Sequence, residues 1–251
     1  MDWKRVSILA GAGSSIAAIV ILKMYGGPVF TNAVDPFNRQ VAEQIEKLNA
    51  SSPDTRARAA ESLGYLRAYS GAEALEKSLQ DKSANVRRAS ALALAWCGGR
   101  PQVIALLKAL EDEDWSVGQA ASVALNNLTG LEPHFDAMTG PEVRREQAAR
   151  WSRWWAEASK QSTPFQILAL LQDDDLEARL RGVRALGAIG GPKASANVSA
   201  ILNLYAGRKY QSLHDTEKHL AEACIHSLGR LRSPDALPLL IGLLDNARSR
   251  R

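Results

Sequence analysis

The sequence has few of the residues on which catalytic and metal sites depend. Its 251 residues include two cysteines and four histidines. It contains no Cys-x-x-Cys, His-Glu-x-x-His or Gly-x-Ser-x-Gly pattern and no phosphate-binding loop, so the common zinc, nucleophilic and nucleotide sites are not indicated. We therefore expect a protein that is not an enzyme and that uses no cofactor and no metal.

Aromatic residues are also scarce, at 6% of the chain, and it lacks the runs of Val, Ile and Thr that form strands. Alanine and leucine are abundant instead, which predicts an all-α fold. Hydrophobic residues make up 46% of the chain, enough for a sizeable core. The net charge of +4 comes from 31 basic and 27 acidic residues spread along the chain, so no nucleic-acid partner is expected.

The N-terminal stretch differs from the rest of the chain. Val6 to Leu22 carry no charge, and Lys23 and a Gly-Gly-Pro turn close the segment. An uncharged run of this length predicts a helix that is sent to a membrane. Two interpretations are open: a transmembrane signal anchor over residues 6–24 and a cleaved secretory signal. We favour the anchor, followed by a linker over residues 25–36, because the best cleavage candidate, Thr31 to Ala33, is weak.

The charges that flank this segment predict its orientation. Lys4 and Arg5 precede it and place residues 1–5 in the cytoplasm by the positive-inside rule. We therefore expect a single-pass protein of the bacterial cytoplasmic membrane with the rest of the chain in the periplasm, or a soluble periplasmic protein if the segment is cleaved. Small residues that let two membrane helices approach closely share one face of the segment. They are Gly11, Ser15 and Ala18.

The remainder of the chain repeats an apolar pattern, most clearly at an interval of 31 residues. One column contains Leu63, Leu94, Leu125, Leu186 and Leu228. A second column, 15 residues earlier, contains Leu48, Leu79, Leu110, Leu171 and Leu213. A third, four residues before the first, holds small residues: Ala59, Ser90, Ala121, Gly182 and Cys224. Both cysteines therefore lie in core columns, since Cys97 follows Leu94 by three residues in an apolar position.

Helix-capping residues between the leucine columns predict two helices per repeat. Eleven residues before the leucines of the first column stand residues whose side chains accept hydrogen bonds from the first turn of a helix. They are Ser52, Ser83, Asp114 and Asp175. Each repeat is therefore predicted to contain a helix ending near the second column, a short polar turn, and a helix starting at the cap. Neither helix can bury its apolar surface alone, so successive repeats must stack.

On these residues the chain resembles the HEAT-repeat family, in particular the short bacterial repeats related to phycocyanobilin lyases. The resemblance rests on an Asp-x4-Val-Arg pattern followed by Ala and Leu, in Asp81, Val86, Arg87 and Leu94, in Asp112, Val117 and Leu125, and in Asp173, Arg179 and Leu186. It implies a right-handed α-α superhelical solenoid of HEAT-like repeats over residues 37–246, with about six repeats. The arginines of residues 247–251 then form a short basic tail.

The resemblance also implies roles for individual residues. The Asp and Arg columns of the family bond within and between repeats, which assigns that role to Asp81, Arg87, Asp173, Arg179 and Asp215. Gly118 and Ala221 replace the arginine in two repeats, so a continuous ladder is not expected. The second helices of such repeats line a concave face. There the resemblance implies exposed side chains that contact a partner: Arg58, Arg88, Gln119 and Arg181.

Residues 129–162 are predicted to form a degenerate, tryptophan-rich repeat. Gly, Pro and Asp make a loop of residues 130–140, and a helix starts near Pro141. One stripe of that helix contains Ala148, Trp151, Trp155 and Ala158. We favour a structural role in which the tryptophans fill a gap. The alternative is a partner-binding site formed by Trp154, Trp115 and arginines such as Arg150, since aromatic and arginine side chains are enriched at interfaces.

Two other features are candidate sites. Asp215, His219, Glu222 and His226 follow helical spacing along one face, but His219 aligns with polar residues of the other repeats, so we favour a solvated face over a metal site. An insertion of 11 residues before Asp215 is predicted to lengthen the preceding helix or to add a loop with Arg208, Lys209 and Tyr210.

The sequence thus predicts a membrane-anchored scaffold that binds another protein, as an accessory or assembly subunit of a membrane-associated complex. A tetrapyrrole (bilin or haem) attachment lyase or chaperone is the first alternative, because of the repeat resemblance. A nucleic-acid-binding protein is the second alternative, because arginines and tryptophans are present.

Overall fold

The computed structural model describes residues 36–191, 193–206, 208 and 212–248. Within these residues the backbone forms twelve α-helices and no strand, so the predicted all-α fold is confirmed. The proposed membrane segment, with Gly11, Ser15 and Ala18, lies outside the described residues. Among those that are described, no helix has the length and apolar character that a bilayer crossing requires.

Ten of the helices form five consecutive pairs, and in four of the pairs five residues separate the two members. The pairs are α1 (Pro36–Lys47) and α2 (Pro53–Tyr65), α3 (Ala72–Ser78) and α4 (Ala84–Cys97), α5 (Val103–Ala109) and α6 (Trp115–Thr129), α8 (Phe165–Leu170) and α9 (Leu176–Ile189), and α10 (Ala194–Ala206) and α11 (Asp215–Leu231). Two helices are unpaired: α7 (Pro141–Ala158) and α12 (Leu237–Arg248).

The predicted two-helix repeat is confirmed in each of these pairs. The first helix ends beside a leucine of the second column in four of them, and the second helix begins after the polar turn. All five leucines of the first column and all five of the second are buried. The small column is buried as well, including Cys224.

The chain divides into two compact units. Of the described residues, unit 1 comprises residues 36–124 and 134–148, and unit 2 comprises residues 125–133 and those from residue 149 onward. Within unit 1, α2 packs on α1 and on α4, and α3 packs on α4. Within unit 2, α9 packs on α8 and on α11, and α10 packs on α11. In both units the second helix of one pair therefore packs on the second helix of the next.

A glycine makes each of these helix–helix contacts close. A Cβ atom at Gly64 of α2 would lie 2.8 Å from the Cα atom of Ala93 in α4. A Cβ atom at Gly187 of α9 would lie 2.8 Å from the Cα atom of Ser227 in α11. Both glycines follow a first-column leucine by one residue, so the two units use the same device. The backbones approach closely because neither glycine carries a side chain.

An arginine–aspartate ladder links successive repeats of unit 1. Arg56 donates from Nε and Nη2 to Asp81, at 2.6 and 2.7 Å. Arg87 donates in the same way to Asp112, at 2.8 Å for both bonds. Both arginines also donate from Nη1 to carbonyl groups of the turn before their own helix. The implied bonding of Asp81 and Arg87 is confirmed, and Arg56 is a rung that the sequence analysis missed.

The ladder changes where the repeat pattern degenerates. At Gly118 no arginine is available, and Arg144 of α7 donates to the backbone carbonyl of Asp112, at 2.9 Å. In unit 2, Arg179 donates to the backbone carbonyl of Asp173 in its own turn. The implied role of Asp215 is wrong, because α11 starts at this residue and its carboxylate instead accepts a bond from Lys218.

The side chains of the aspartate column make hydrogen bonds in the turns between paired helices, whereas only some of the predicted N-cap residues do so. Asp81, Asp112 and Asp173 each accept the backbone N–H of the residue two positions later, at 2.8–2.9 Å. Asp114 and Asp175 also cap their helices with side-chain bonds. Ser52 and Ser83 occupy the predicted cap positions but make no capping side-chain bond, so that part of the prediction is wrong.

The ladder predicts a fall in the stability of unit 1 in acid. Hydrogen bonding from Arg56 holds the pKa of Asp81 below its ordinary value, with help from the backbone N–H of Ser83. A carboxylate with a depressed pKa stabilises the folded state above its unfolded pKa of about 4, and this contribution is lost as the pH falls through the folded pKa. Urea denaturation below about pH 4 is therefore expected to depend on pH more steeply in the wild type than in Asp81→Asn. Equal pH dependence in both would contradict the assignment.

The degenerate repeat has the predicted shape. Residues 131–136 are irregular, and Gly130 adopts a positive φ of 69°, the left-handed backbone that favours glycine. The stripe of Ala148, Trp151, Trp155 and Ala158 on α7 is buried. The insertion near the end of the chain lengthens α10 to 13 residues, against seven in α3. Arg208, just after α10, forms an ion pair with Glu217, at 2.6 Å.

Candidate functional site

An open groove of about 460 Å³ lies between α2 and α4 of unit 1. Its lining residues are Glu61, Gly64, Tyr65, Arg67, Ala89, Leu92, Ala93 and Trp96. We call this surface the aromatic groove. Its floor is the close contact at Gly64 and Ala93, because two helices that approach so closely leave little side-chain volume between them. The walls are larger side chains that stand on either side of that contact.

Two aromatic side chains on these walls face solvent. Tyr65 is 90% exposed and Trp96 is 47% exposed. They are separated by 31 residues, so each occupies the same position in its repeat, two residues after a first-column leucine. Large aromatic side chains are costly to leave in water and contribute strongly when a partner covers them. Their placement in one groove indicates a binding surface.

Arg67 completes the aromatic groove. Its guanidinium lies over the Trp96 ring, 5.3 Å from the ring centre, within the range of a cation–π contact. Its backbone has a φ of 49°, a left-handed conformation that disfavours residues other than glycine. Ala68 N–H donates to the Leu63 carbonyl at 3.0 Å, which closes the end of α2 in the manner that usually places glycine at this position. An arginine therefore occupies a position at which glycine would adopt the backbone conformation at a lower energetic cost.

The cationic side chains near the aromatic groove are not neutralised within the described part of the chain. Arg58, Arg67 and Arg88, all on or next to α2 and α4, form no ion pair there. Glu61 is the one carboxylate that lines the groove. By contrast, Arg56 and Arg87 are fully engaged in the ladder and cannot serve a ligand. The lining itself therefore holds one cation and one carboxylate, and Arg58 and Arg88 add positive charge one helical turn before Glu61 and Leu92.

The structure places the predicted partner residues of the second helices in two groups. Arg58 and Gln119 are exposed, as expected. Arg88 and Arg181 are half-buried, which is less exposed than expected, and partner binding by all four stays a prediction. Arg181 lies on α9 in unit 2. Its Nε atom is buried and has no hydrogen-bond partner among the described residues.

The predicted tryptophan site is divided between the two units. Trp115 begins α6 in unit 1 and is 52% exposed. Arg150 and Trp154 lie on α7 in unit 2, with Arg150 exposed and Trp154 half-buried. Trp154 packs edge-on against Trp151, with ring centres 5.7 Å apart. This contact indicates a structural role for Trp154, and partner binding by these residues stays a prediction.

Sequence analysis missed Tyr65, Arg67 and Trp96. The repeat columns identify buried positions, whereas the side chains of Tyr65, Arg67 and Trp96 are exposed. The signal was available: Tyr65 and Trp96 are aromatic residues 31 positions apart in a chain with few aromatics. The left-handed backbone of Arg67 has no such signal, because arginine does not usually mark that conformation.

The surroundings of the cysteines and of the histidine-rich face of α11 indicate structural roles for these residues. Cys97 and Cys224 are buried, and within the described residues neither forms a disulfide. Burial raises the pKa of the Cys224 thiol to about 12, which keeps it protonated and unreactive at neutral pH. On α11, Asp215 pairs with Lys218, and His219 is exposed. Across the residues with described positions, no cluster of three metal-ligating side chains is present.

The paired helices, shared columns and inter-repeat ladder define an α-helical repeat protein. Residues 41–130 match the family of HEAT repeats, over α1 to α6. The resemblance to the HEAT-repeat family is therefore confirmed over these residues.

Comparison with solved structures finds other proteins to which this chain is similar. An engineered protein is 20% identical, with a TM-score of 0.33, over 81% of this chain and 84% of that one. A designed armadillo repeat protein in complex with the peptide (KR)4 is 17% identical, with a TM-score of 0.32, over 88% of this chain and 90% of that one. No curated protein sequence matches the chain.

Proposed function

We propose that this HEAT-repeat protein is a scaffold that binds another protein through the aromatic groove. The observation that carries the proposal is the exposure of Tyr65 and Trp96 at equivalent positions of adjacent repeats. A partner that covers both rings removes apolar surface from water and gains the contacts that aromatic side chains supply at interfaces.

The shape of the aromatic groove supports a macromolecular partner more than a small substrate. It is open along the surface between two helices, and Gly64 and Ala93 leave its floor shallow. Small-molecule sites are concave and enclose most of their ligand. The lining contains one carboxylate and neither histidine nor cysteine, so the groove offers little for a lyase reaction. These features favour a scaffold over the tetrapyrrole lyase alternative.

We also propose that residues 6–24 hold this scaffold at a membrane, so that the partner is a subunit of a membrane-associated complex. The support is the uncharged run from Val6 to Leu22, with Lys4 and Arg5 before it. An anchor would raise the effective concentration of the scaffold for a partner in the same membrane. The expected location is the cytoplasmic membrane of a bacterium, with the repeats in the periplasm.

The proposal predicts that a partner is captured through Tyr65 and Trp96. The full chain with a C-terminal tag is expressed in its native host, solubilised in mild detergent and purified, and the co-purifying proteins are identified. We expect one or more proteins to be recovered with the wild type and to fall at least about tenfold in Tyr65→Ala/Trp96→Ala, because a pair of exposed aromatic anchors contributes well over 1.4 kcal/mol.

A matched control for this double variant is Phe165→Ala. Phe165 is 71% exposed, lies in unit 2 and does not line the aromatic groove. Its loss removes an exposed aromatic ring without touching the groove, so capture should persist. Equal capture by the wild type and the groove variant would reject the groove as the binding site. Recovery of the protein from the soluble fraction without detergent would reject the anchor and leave the groove proposal intact.

A further inference from the structure

We infer that the aromatic groove selects an acidic segment of its protein partner, with Arg67 as the residue that contacts the acidic side chain. This inference rests on the proposed function and adds the chemistry of the ligand. The segment would place an apolar side chain between Tyr65 and Trp96 and a carboxylate on the guanidinium of Arg67.

The charge around the groove supports an acidic ligand. Arg58, Arg67 and Arg88 have no ion-pair partner in the portion of the chain that the structure describes, whereas Glu61 supplies one opposing charge. Arginine binds carboxylates through two parallel N–H bonds, a geometry that lysine lacks. A ligand with carboxylates at this edge would pair with cations that are otherwise left to solvent.

The position of Arg67 is a second and independent observation. The left-handed backbone at the end of α2 favours glycine, yet an arginine occupies it and lies over the Trp96 ring. Arg232 has the same backbone conformation outside the groove, so the contact of the guanidinium with Trp96 is the feature that distinguishes Arg67. The stacked guanidinium keeps its edge N–H groups available, since the cation–π contact uses only the flat face.

The apolar lining indicates a protein segment rather than a nucleic acid. Leu92, Ala89 and the two aromatic rings form most of the wall, and they suit aliphatic or aromatic side chains. A nucleic acid needs many cations along its backbone, whereas Arg67 is the one arginine that lines the groove. An acidic segment that also carries apolar residues matches both the wall and the charge.

The test uses a display library of random 12-residue peptides, selected on the full chain in detergent micelles. Three proteins are compared: the wild type, Arg67→Gly, and Arg232→Gly as the matched control. Arg232 ends α11 with the same φ of 49° and is not part of the aromatic groove. In both variants glycine suits the left-handed backbone, so the thermal midpoint is expected to stay the same or rise.

We expect the wild type and Arg232→Gly to enrich peptides that combine acidic and apolar residues. The affinity of an enriched peptide, measured by fluorescence anisotropy, should fall about tenfold in Arg67→Gly, as for the loss of one charge-assisted pair. The inference is overturned by the absence of enrichment, by enrichment of neutral or basic peptides, by equal affinity in Arg67→Gly, or by tighter binding of single-stranded DNA.

This result separates the inference from the proposed function. If a protein is captured through Trp96 but Arg67→Gly captures it equally well, the scaffold proposal stands and the acidic specificity is rejected. If Tyr65→Ala/Trp96→Ala captures the same proteins as the wild type, the groove itself is rejected and the inference fails with it.

Discussion

Arg87→Ala is expected to lower the free energy of unfolding of unit 1 by about 3 kcal/mol. Removing one member of a buried ion pair costs far more than the pair contributes, because the remaining charge stays in a poorly solvated place. The Arg87 side chain is 10% exposed and the Asp112 side chain is 12% exposed, so neither group can recover full hydration when its partner is lost.

The cost is large because Arg87 joins three parts of unit 1. Its Nε and Nη2 atoms bind both carboxylate oxygens of Asp112 in the next repeat. Its Nη1 atom binds the Asp81 carbonyl in its own turn. In Arg87→Ala, a buried carboxylate and a backbone carbonyl each lose a donor, and a cavity replaces the aliphatic stem of the arginine.

Urea denaturation with hydrogen exchange of α4 measures this effect. Asp112→Ala and the double variant complete a cycle whose coupling energy is the interaction of the pair. The matched control is Lys77→Ala, which breaks an ion pair with Glu73 in which both side chains are about three-quarters exposed. Exposed pairs contribute little, so this control should change stability only slightly. A similar loss in both variants would show that burial of the Arg87 pair has no energetic consequence.

The fold could be predicted from the sequence because stacked repeats require apolar residues at regular intervals along the chain. Each repeat must bury the same positions against its neighbours, so Leu63, Leu94 and Leu186 recur in one column and all are buried. The same logic predicted the stripe of α7, where Trp151 and Trp155 lie inside. Periodicity reports burial well, because solvent excludes large apolar side chains in proportion to their area.

The ladder was only partly predictable, because its rungs depend on where helices start. The first repeat does not show the Asp-x4-Val-Arg pattern, because Ala50 replaces the aspartate, and Arg56 was therefore not predicted. Arg56 nevertheless binds Asp81, the aspartate of the next repeat. Asp215 matched the aspartate column, but α11 begins at that residue. In the other repeats the aspartate precedes the helix and its carboxylate closes the turn, and a helix that starts earlier removes that turn.

The candidate site was the least predictable part. The 31-residue spacing of Tyr65 and Trp96 is a signal, but it is confined to two repeats, because the equivalent positions elsewhere are Asn127, Ala188 and Arg230. The contact of Arg67 with Trp96 depends on a left-handed backbone and on the close approach at Gly64. Neither follows from residue type, because arginine at a helix end is usually solvated and glycine within a helix has several explanations.

Gly187→Ala is expected to lower the free energy of unfolding of unit 2 by about 2 kcal/mol, the range for overpacking a tight contact. On an exposed helix the same change would raise stability by up to about 1 kcal/mol, since alanine is the better helix former. Here the added Cβ atom would lie 2.5 Å from Oγ, 2.7 Å from Cβ and 2.8 Å from Cα of Ser227. A backbone atom is among these neighbours, so a change of rotamer cannot relieve the clash.

The clash also disturbs a buried hydrogen bond. Ser227 Oγ donates to the Val183 carbonyl at 2.9 Å, between α11 and α9. Separating the two helices to admit a methyl group lengthens this bond and loosens the packing of the leucine column beside it. Chemical denaturation of the full chain, with hydrogen exchange of α9 and α11, measures both consequences.

Gly242→Ala is the matched control, because a Cβ atom at Gly242 of α12 meets no atom within 4 Å. This variant should be as stable as the wild type or more so. Ser227→Gly supplies a rescue: it removes the two side-chain atoms nearest to the new methyl group, so that the backbone of residue 227 is the only part left to clash. The double variant Gly187→Ala/Ser227→Gly should therefore lose less stability than the sum of the single changes. Strict additivity would mean that the close approach of α9 and α11 is not what makes glycine necessary at Gly187.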